Sequence, residues 1–225
     1  MAADAVPGGM SEPDGSAERT LTGRGPSGQS TRDSLVEVAW EVFSDKPYRN
    51  VRIAEIAARA GVSTGSFYTY FDSKEALFRV VASAALEQLF SYDRVDPDNT
   101  DQNPVRDLDY GMRQFFLSCL RNRTICLSIE QIRLIDNDVR LNRRGTLMRG
   151  AKRVERWIKS FQEQGVCDPD IDPWFTALAL QSMAVNLAYD QLVFRDRPQD
   201  IDALVAAVTP IWARAVGLEQ WLHRM

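Results

Sequence analysis

Apolar side chains recur at helical intervals along nearly the whole of the 225-residue chain. Leu35, Val38, Ala39 and Val42 stand at i, i+3, i+4 and i+7, so they share one face of a first helix that starts near Thr31. The polar stretch SDKPYRN interrupts it. Ile53, Ile56, Ala57 and Ala60 mark a short second helix, stopped by Gly61. Ser63 is suited to cap a third, brief helix reaching about Tyr70, because its hydroxyl can accept from a free N–H of the first turn. Asp72 followed by Glu75 reads as a capping box for a fourth helix, continued by Leu77, Val81, Ala84 and Ala85.

The second half repeats the pattern in longer elements. Asn103-Pro104 and Asp172-Pro173 each pair a capping residue with a proline suited to the first helical position. Leu147, Ala151, Val154, Ile158 and Phe161 step by 4, 3, 4 and 3, a packing seam closed by Gly165. A last helix spans about Asp200 to Val216, with Gly217 past its end. No stretch alternates apolar and polar residues between tight-turn dipeptides, so no strand is predicted and the fold class is all-α. Residues 1 to 30 hold Gly, Pro, Ala and Ser but no aromatic residue. They bury too little to offset their ordering entropy and are expected to form a disordered tail. SYDRVDPDNTDQNP is expected to be an acidic loop.

Composition narrows the function. With 44% hydrophobic residues the chain can bury a core, and a net charge of −4 argues against a protein that coats nucleic acid over its whole surface. A local DNA-reading element stays open, because binding depends on where charges sit. Cys119, Cys126 and Cys167 have no CxxC spacing and read as buried thiols of a reducing cytosol. No apolar run approaches the roughly 18 residues of a membrane span, and no secretory signal opens the chain. A cytoplasmic protein without a membrane partner is expected. The single histidine, His223, lies at the frayed C-terminus, and no GxSxG, P-loop or GxGxxG occurs. Asp93, Asp96, Asp98 and Asp101 belong to the acidic loop and read as solvated. No enzymatic activity, cofactor or metal is expected.

The stretch GVSTGSFYTYF, residues 61 to 71, is uncharged and holds four aromatic residues. At about 100° per residue, Phe67 and Phe71 fall close together and point to a core. Gly65, Ser66 and Thr69 lie on the other side, flanked by Tyr68 and Tyr70. A short helix with a low, hydroxyl-bearing outer face can approach another surface closely. The DNA major groove admits one helix, and Ser and Thr can bond base edges there. Tyrosine hydroxyls and a helix N-terminus suit phosphates, and Arg52 and Lys74 supply charge at the edges. Together with the preceding helix and the Gly61 turn this is a helix-turn-helix arrangement. Residues 31 to 75 hold six basic and seven acidic residues, so the electrostatic footprint is local and binding should be salt-sensitive.

IAARAGVSTGSFYTYFDSKEALF closely resembles the DNA-binding domain of the TetR/AcrR family of bacterial transcriptional regulators, through Ala57, Gly61, Val62, Gly65, Tyr68, Phe71, Lys74 and Leu77. The resemblance covers roughly residues 31 to 80. It implies a three-helix DNA-binding domain over residues 31–78 and an all-helical ligand-binding and dimerisation domain over 79–225. By position, Thr64, Gly65, Ser66 and Thr69 would meet the groove, Tyr68 its edge, and Tyr70 and Lys74 the phosphates, and the cap Ser63 and Arg52 are counted with them as DNA-binding residues. Two positions depart from the commonest pattern. Arg52 stands where Ser or Thr is frequent, and Tyr70 where His is frequent.

The resemblance also implies a homodimer built on the C-terminal helices. DPWFTALALQSMAVNLAYDQLVF is apolar and rich in small residues, with Ala179 and Ser182 as interface candidates. Leu204, Val205, Val208, Ile211 and Trp212 are candidates on the last helix. An effector pocket is implied too. Its candidates are Met112, Phe115, Phe116 and Cys119, then Trp157 and Phe161, and finally Trp174, Met183, Asn186 and Tyr189. Between Arg140 and Lys159 stand eight basic residues and one acid, Glu155. Arg149, Lys152, Arg153, Arg156 and Lys159 form a stripe that is either a solvated face or an attraction for an anionic effector. The expected function is a dimeric, ligand-responsive regulator, most simply a repressor, on a pseudo-palindromic operator. A helical protein–protein adaptor, or an enzyme using a lone cysteine or a carboxylate pair, stays open as a rival.

Overall fold

The structure is a computed structural model that describes residues 26–91, 98–99, 102–197 and 199–223. The tail expectation for residues 1–25, and most of the acidic loop, lie outside the described residues. Among the described residues every regular element is a helix. They are α1 (Pro26–Asp45), α2 (Ile53–Arg59), α3 (Thr64–Phe67), α4 (Lys74–Gln88), α5 (Pro104–Arg121), α6 (Arg123–Ile132), α7 (Asn137–Glu163), α8 (Pro173–Ala188), α9 (Ile201–Ala215) and α10 (Glu219–Leu222). The first helix starts at Pro26, so residues 26–30, assigned to the tail, are its first turns.

Capping follows local chemistry. Ser63 accepts from the Ser66 N–H, Asn103 from Val105, Asp172 from Phe175 and Asp200 from Asp202. The start of α4 corrects the capping-box reading. Ser73, in extended backbone, caps by accepting from Ala76, and Asp72 lies outside the helix. Glu75, one residue too early to close a box, instead takes the Tyr48 hydroxyl at 2.6 Å. Two elements escape the apolar periodicity. Tyr48–Asn50 is a 3₁₀ turn, and Tyr189–Val193 prolongs α8 as a π turn.

Leu35, Ala39, Val42, Phe43, Ile56, Phe67 and Phe78 are fully buried and form the core of the N-terminal unit. The larger unit packs α7 on α8 and α5 on α9, and α4 joins the two by packing on α1, α6 and α7. Two contacts fasten this junction. The Tyr48 backbone N–H donates to the buried Ser128 Oγ of α6 at 3.0 Å, and Arg79 of α4 pairs with Asp136 at 2.9 Å. Burial alone would raise the Asp136 carboxyl pKa. The Val139 N–H and Arg79 more than offset it, and the carboxyl is held below its usual range.

Candidate DNA-reading face and internal cavity

Phe67 positions the candidate face. It is fully buried, it meets Phe71 at 5.8 Å between ring centroids, and so it anchors α3 to the core. Thr64, Gly65, Ser66, Tyr68 and Thr69 are exposed, as is the cap Ser63. The helix is a single turn, shorter than expected. Thr69 and Tyr70 continue it with i→i+3 bonds to Ser66 and Phe67, which tightens the backbone and draws half-buried Tyr70 toward the core. Gly61, at φ +71°, makes the turn before it. Arg52 is exposed at the N-terminus of α2 and makes no side-chain capping bond.

Lys74 has an internal task that its position in the motif does not disclose. Its Nζ donates to the carbonyls of Tyr48 and Val51, both at 3.0 Å, and sits 4.1 Å from the Tyr48 ring centre. It thereby clamps the turn between α1 and α2. Burial pushes its pKa down. Two of its three N–H donors are spent on this clamp, and the third is left for other partners. Lys46 and Glu55, paired at 2.7 Å, tie the end of α1 to α2.

A cavity of about 370 Å³ lies between α5, α7, α8 and α9. Of the ten pocket residues proposed from sequence, Met112, Phe115, Trp157 and Phe161 line it. The other six do not. Phe116 and Cys119 are fully buried core, and Tyr189 is buried against Cys126, whose thiol burial pushes up to about 12. Trp174 and Met183 face elsewhere at partial exposure, and exposed Asn186 donates to the Ser182 carbonyl. Helical spacing cannot tell which side of an apolar helix meets a void and which meets a neighbour. The lining residues missed include Asp107, Leu108, Gly111, Gln181 and Ala184, several of them polar or small.

Burial divides the basic stripe. Arg149, Lys152, Arg156 and Lys159 are exposed, and Lys159 pairs with Glu155 at 2.7 Å. Arg153 turns inward, lines the cavity and donates to the Phe90 carbonyl. The interface candidates divide as well. Ala179, Ser182 and Ile211 are exposed, whereas Leu204, Val205, Val208 and Trp212 are buried within the subunit. That corrects the assignment on α9. Its large apolar side chains pack inward, Trp212 lines the cavity, and the outward face is Ala203, Ala206, Ala207 and Ile211.

No helix among the described residues is long and apolar enough to cross a membrane. The profile of bacterial regulatory proteins of the TetR family matches residues 35–81. The A-factor receptor protein of Streptomyces griseus is 29% identical over 151 residues, which is 64% of this chain and 49% of the receptor. The repressor KstR2 of Rhodococcus jostii is 35% identical over 66 residues, covering 29% of this chain and 31% of the repressor. The chain thus spans half or less of the curated relatives it matches. A TetR-family regulator from Mesorhizobium loti superposes with a TM-score of 0.68 at 15% identity, over 83% of this chain and 96% of the other, a likeness of fold. The matched family is one of regulators rather than enzymes. The helix-turn-helix with its buried Phe67 thus carries the profile of the TetR family of bacterial regulatory proteins over residues 35–81, and the helical body behind it shares the fold of solved regulators of that family.

Proposed function

We propose that the protein is a dimeric transcriptional repressor that binds a pseudo-palindromic operator and leaves it when a small molecule occupies the internal cavity. The observation that carries this reading is the exposed row Thr64, Gly65, Ser66 and Thr69 above the buried Phe67. Core packing does not require that face to be low and hydroxylated, whereas a helix that approaches base edges closely can use hydroxyls to bond them. Tyr68, Tyr70 and Arg52 flank it as phosphate partners, with Lys74 holding the supporting turn and keeping one donor for a phosphate. The DNA-binding unit is taken as residues 31–78, extended back to Pro26 by α1, and residues 79–225 as the responsive unit.

Dimerisation would use the outward faces of α8 and α9. Phe175, Ala179 and Ser182 on one and Ala206 and Ile211 on the other are exposed, and small residues permit close helix approach. Release would be a population shift. An occupant that favours a cavity shape with badly spaced reading heads must lower operator affinity by the same coupling free energy. A physical route exists, because α7 lines the cavity and packs on α4, which leads into the reading unit. Such a regulator works in the cytoplasm, where its operator is.

Selection of DNA fragments bound by the purified protein, followed by sequencing, tests the reading. A two-fold symmetric sequence should emerge at moderate salt, and its affinity should fall steeply as salt rises. Recovery of no enriched palindrome would sink the proposal and favour the adaptor alternative.

A further inference from the structure

The cavity wall is mostly hydrocarbon and aromatic, yet polar groups are left over in it. Gln181 on α8 lines it and is only 6% exposed, and its amide forms no hydrogen bond within the described residues. Its side chain lies against Gly150 of α7, where an added methyl group would stand 3.1 Å from Nε2. With no side chain at Gly150 the amide packs closely on α7, and a methyl group there would make it give by a few tenths of an ångström. Trp212 on α9 lines the same cavity, is 4% exposed, and its Nε1 also lacks a partner. A buried polar group without a partner is costly, as at the Trp212 indole, and an occupant of the cavity that accepts hydrogen bonds would give it and the Gln181 amide partners.

The chemistry of that partner follows from the donor inventory. An indole N–H only donates, and a primary amide offers two N–H donors against one carbonyl. Three N–H donors against the two lone pairs of a single carbonyl oxygen favour a ligand that accepts. Asp107 and Arg153 bring opposite charges to the wall and have other interactions, so the pair does not select a charged ligand. Building on the effector-cavity reading above, we infer that the cavity takes a neutral molecule with an apolar body and a carbonyl group, and that Gln181 and Trp212 donate to that carbonyl. Aromatic walls at Phe115, Trp157 and Phe161 hold the apolar body.

Matched probes test this without DNA: 4-phenylcyclohexanone with phenylcyclohexane, and 2-undecanone with undecane, titrated against the full-length protein and its Gln181→Met variant. Ketone affinity should drop about tenfold in the variant, and hydrocarbon affinity should not. In the unsubstituted protein, the Gln181 amide and Trp212 indole ¹H–¹⁵N signals should shift with ketone and stay in place with hydrocarbon. The signal test stands even if the variant fails to fold. Equal losses for ketone and hydrocarbon, or unmoved signals on ketone binding, overturn the inference and leave the cavity reading intact. Binding of no probe in either pair overturns both, while the operator selection still judges the DNA-binding half.

Discussion

Gly61 and Gly217 both adopt left-handed backbone, at φ +71° and +78°, but their surroundings differ. A Cβ at Gly61 would meet nothing within 4 Å, whereas at Gly217 it would stand 2.9 Å from the Asp168 Cβ. Gly61→Ala should therefore lose only the conformational term, about 1 kcal/mol, and Gly217→Ala distinctly more. Urea unfolding of the two variants decides, and equal losses would refute the contact argument. The Tyr48–Glu75 bond makes a second residue-scale prediction. The Tyr48 hydroxyl holds the Glu75 carboxyl below its usual range near 4.5. Its contribution to stability is thus present above that value and lost as pH falls through the depressed folded one. Stability should drop on acidification below about pH 4.5, less steeply in Glu75→Gln. Denaturant melts at stepped pH measure this.

At the scale of the element, Lys74 sets two expectations against each other. As a phosphate contact alone, its loss would change operator affinity and the salt slope and leave stability untouched. Because its Nζ bridges the Tyr48 and Val51 carbonyls, Lys74→Met should also cost about 1–2 kcal/mol in the absence of DNA. Thermal melts of the free protein check the stability term, and a melt identical to the parent's would refute the clamp. The α3 face was legible in the sequence because a single turn has one inward side, and Phe67 names it. The cavity on α5, α7 and α8 was less legible. Met112, Phe115, Trp157 and Phe161 were found, but Phe116 and Cys119 share the apolar character of the lining residues while packing against neighbours instead.

At the scale of the molecule, the proposed dimer rests on faces that a single subunit leaves uncovered. Ile211 is 48% exposed although it is a large apolar residue, and Ala179 and Ser182 continue an open row on α8. Ala179→Arg should leave the fold intact, produce a monomer in light scattering and weaken operator binding strongly, because one reading head then binds without the other. A dimer unchanged by this substitution would place the interface elsewhere. Beside the packing of α1 on α6 and of α4 on α6 and α7, two specific bonds hold the region of the junction, Tyr48 to Ser128 across it and Arg79 of the connecting α4 to Asp136. These partners lie 80 and 57 residues apart in the chain, beyond the reach of any local pattern.

Local chemistry in the sequence determined what depends on neighbours along the chain: the helical class, the caps at Ser63, Asn103 and Asp172, the Gly61 turn and the outward face of α3. Each follows from a spacing or from a side chain within a few residues of the group it serves. Tertiary structure alone decided what depends on neighbours in space. Lys74 became a clamp because a turn 23 residues away presents carbonyls to it. Trp212 turned from a presumed interface into a cavity wall because α5 covers that side of α9. Gln181 became a cavity-wall residue, with its amide against Gly150 of α7, because α8 packs on α7 with that side turned to the cavity.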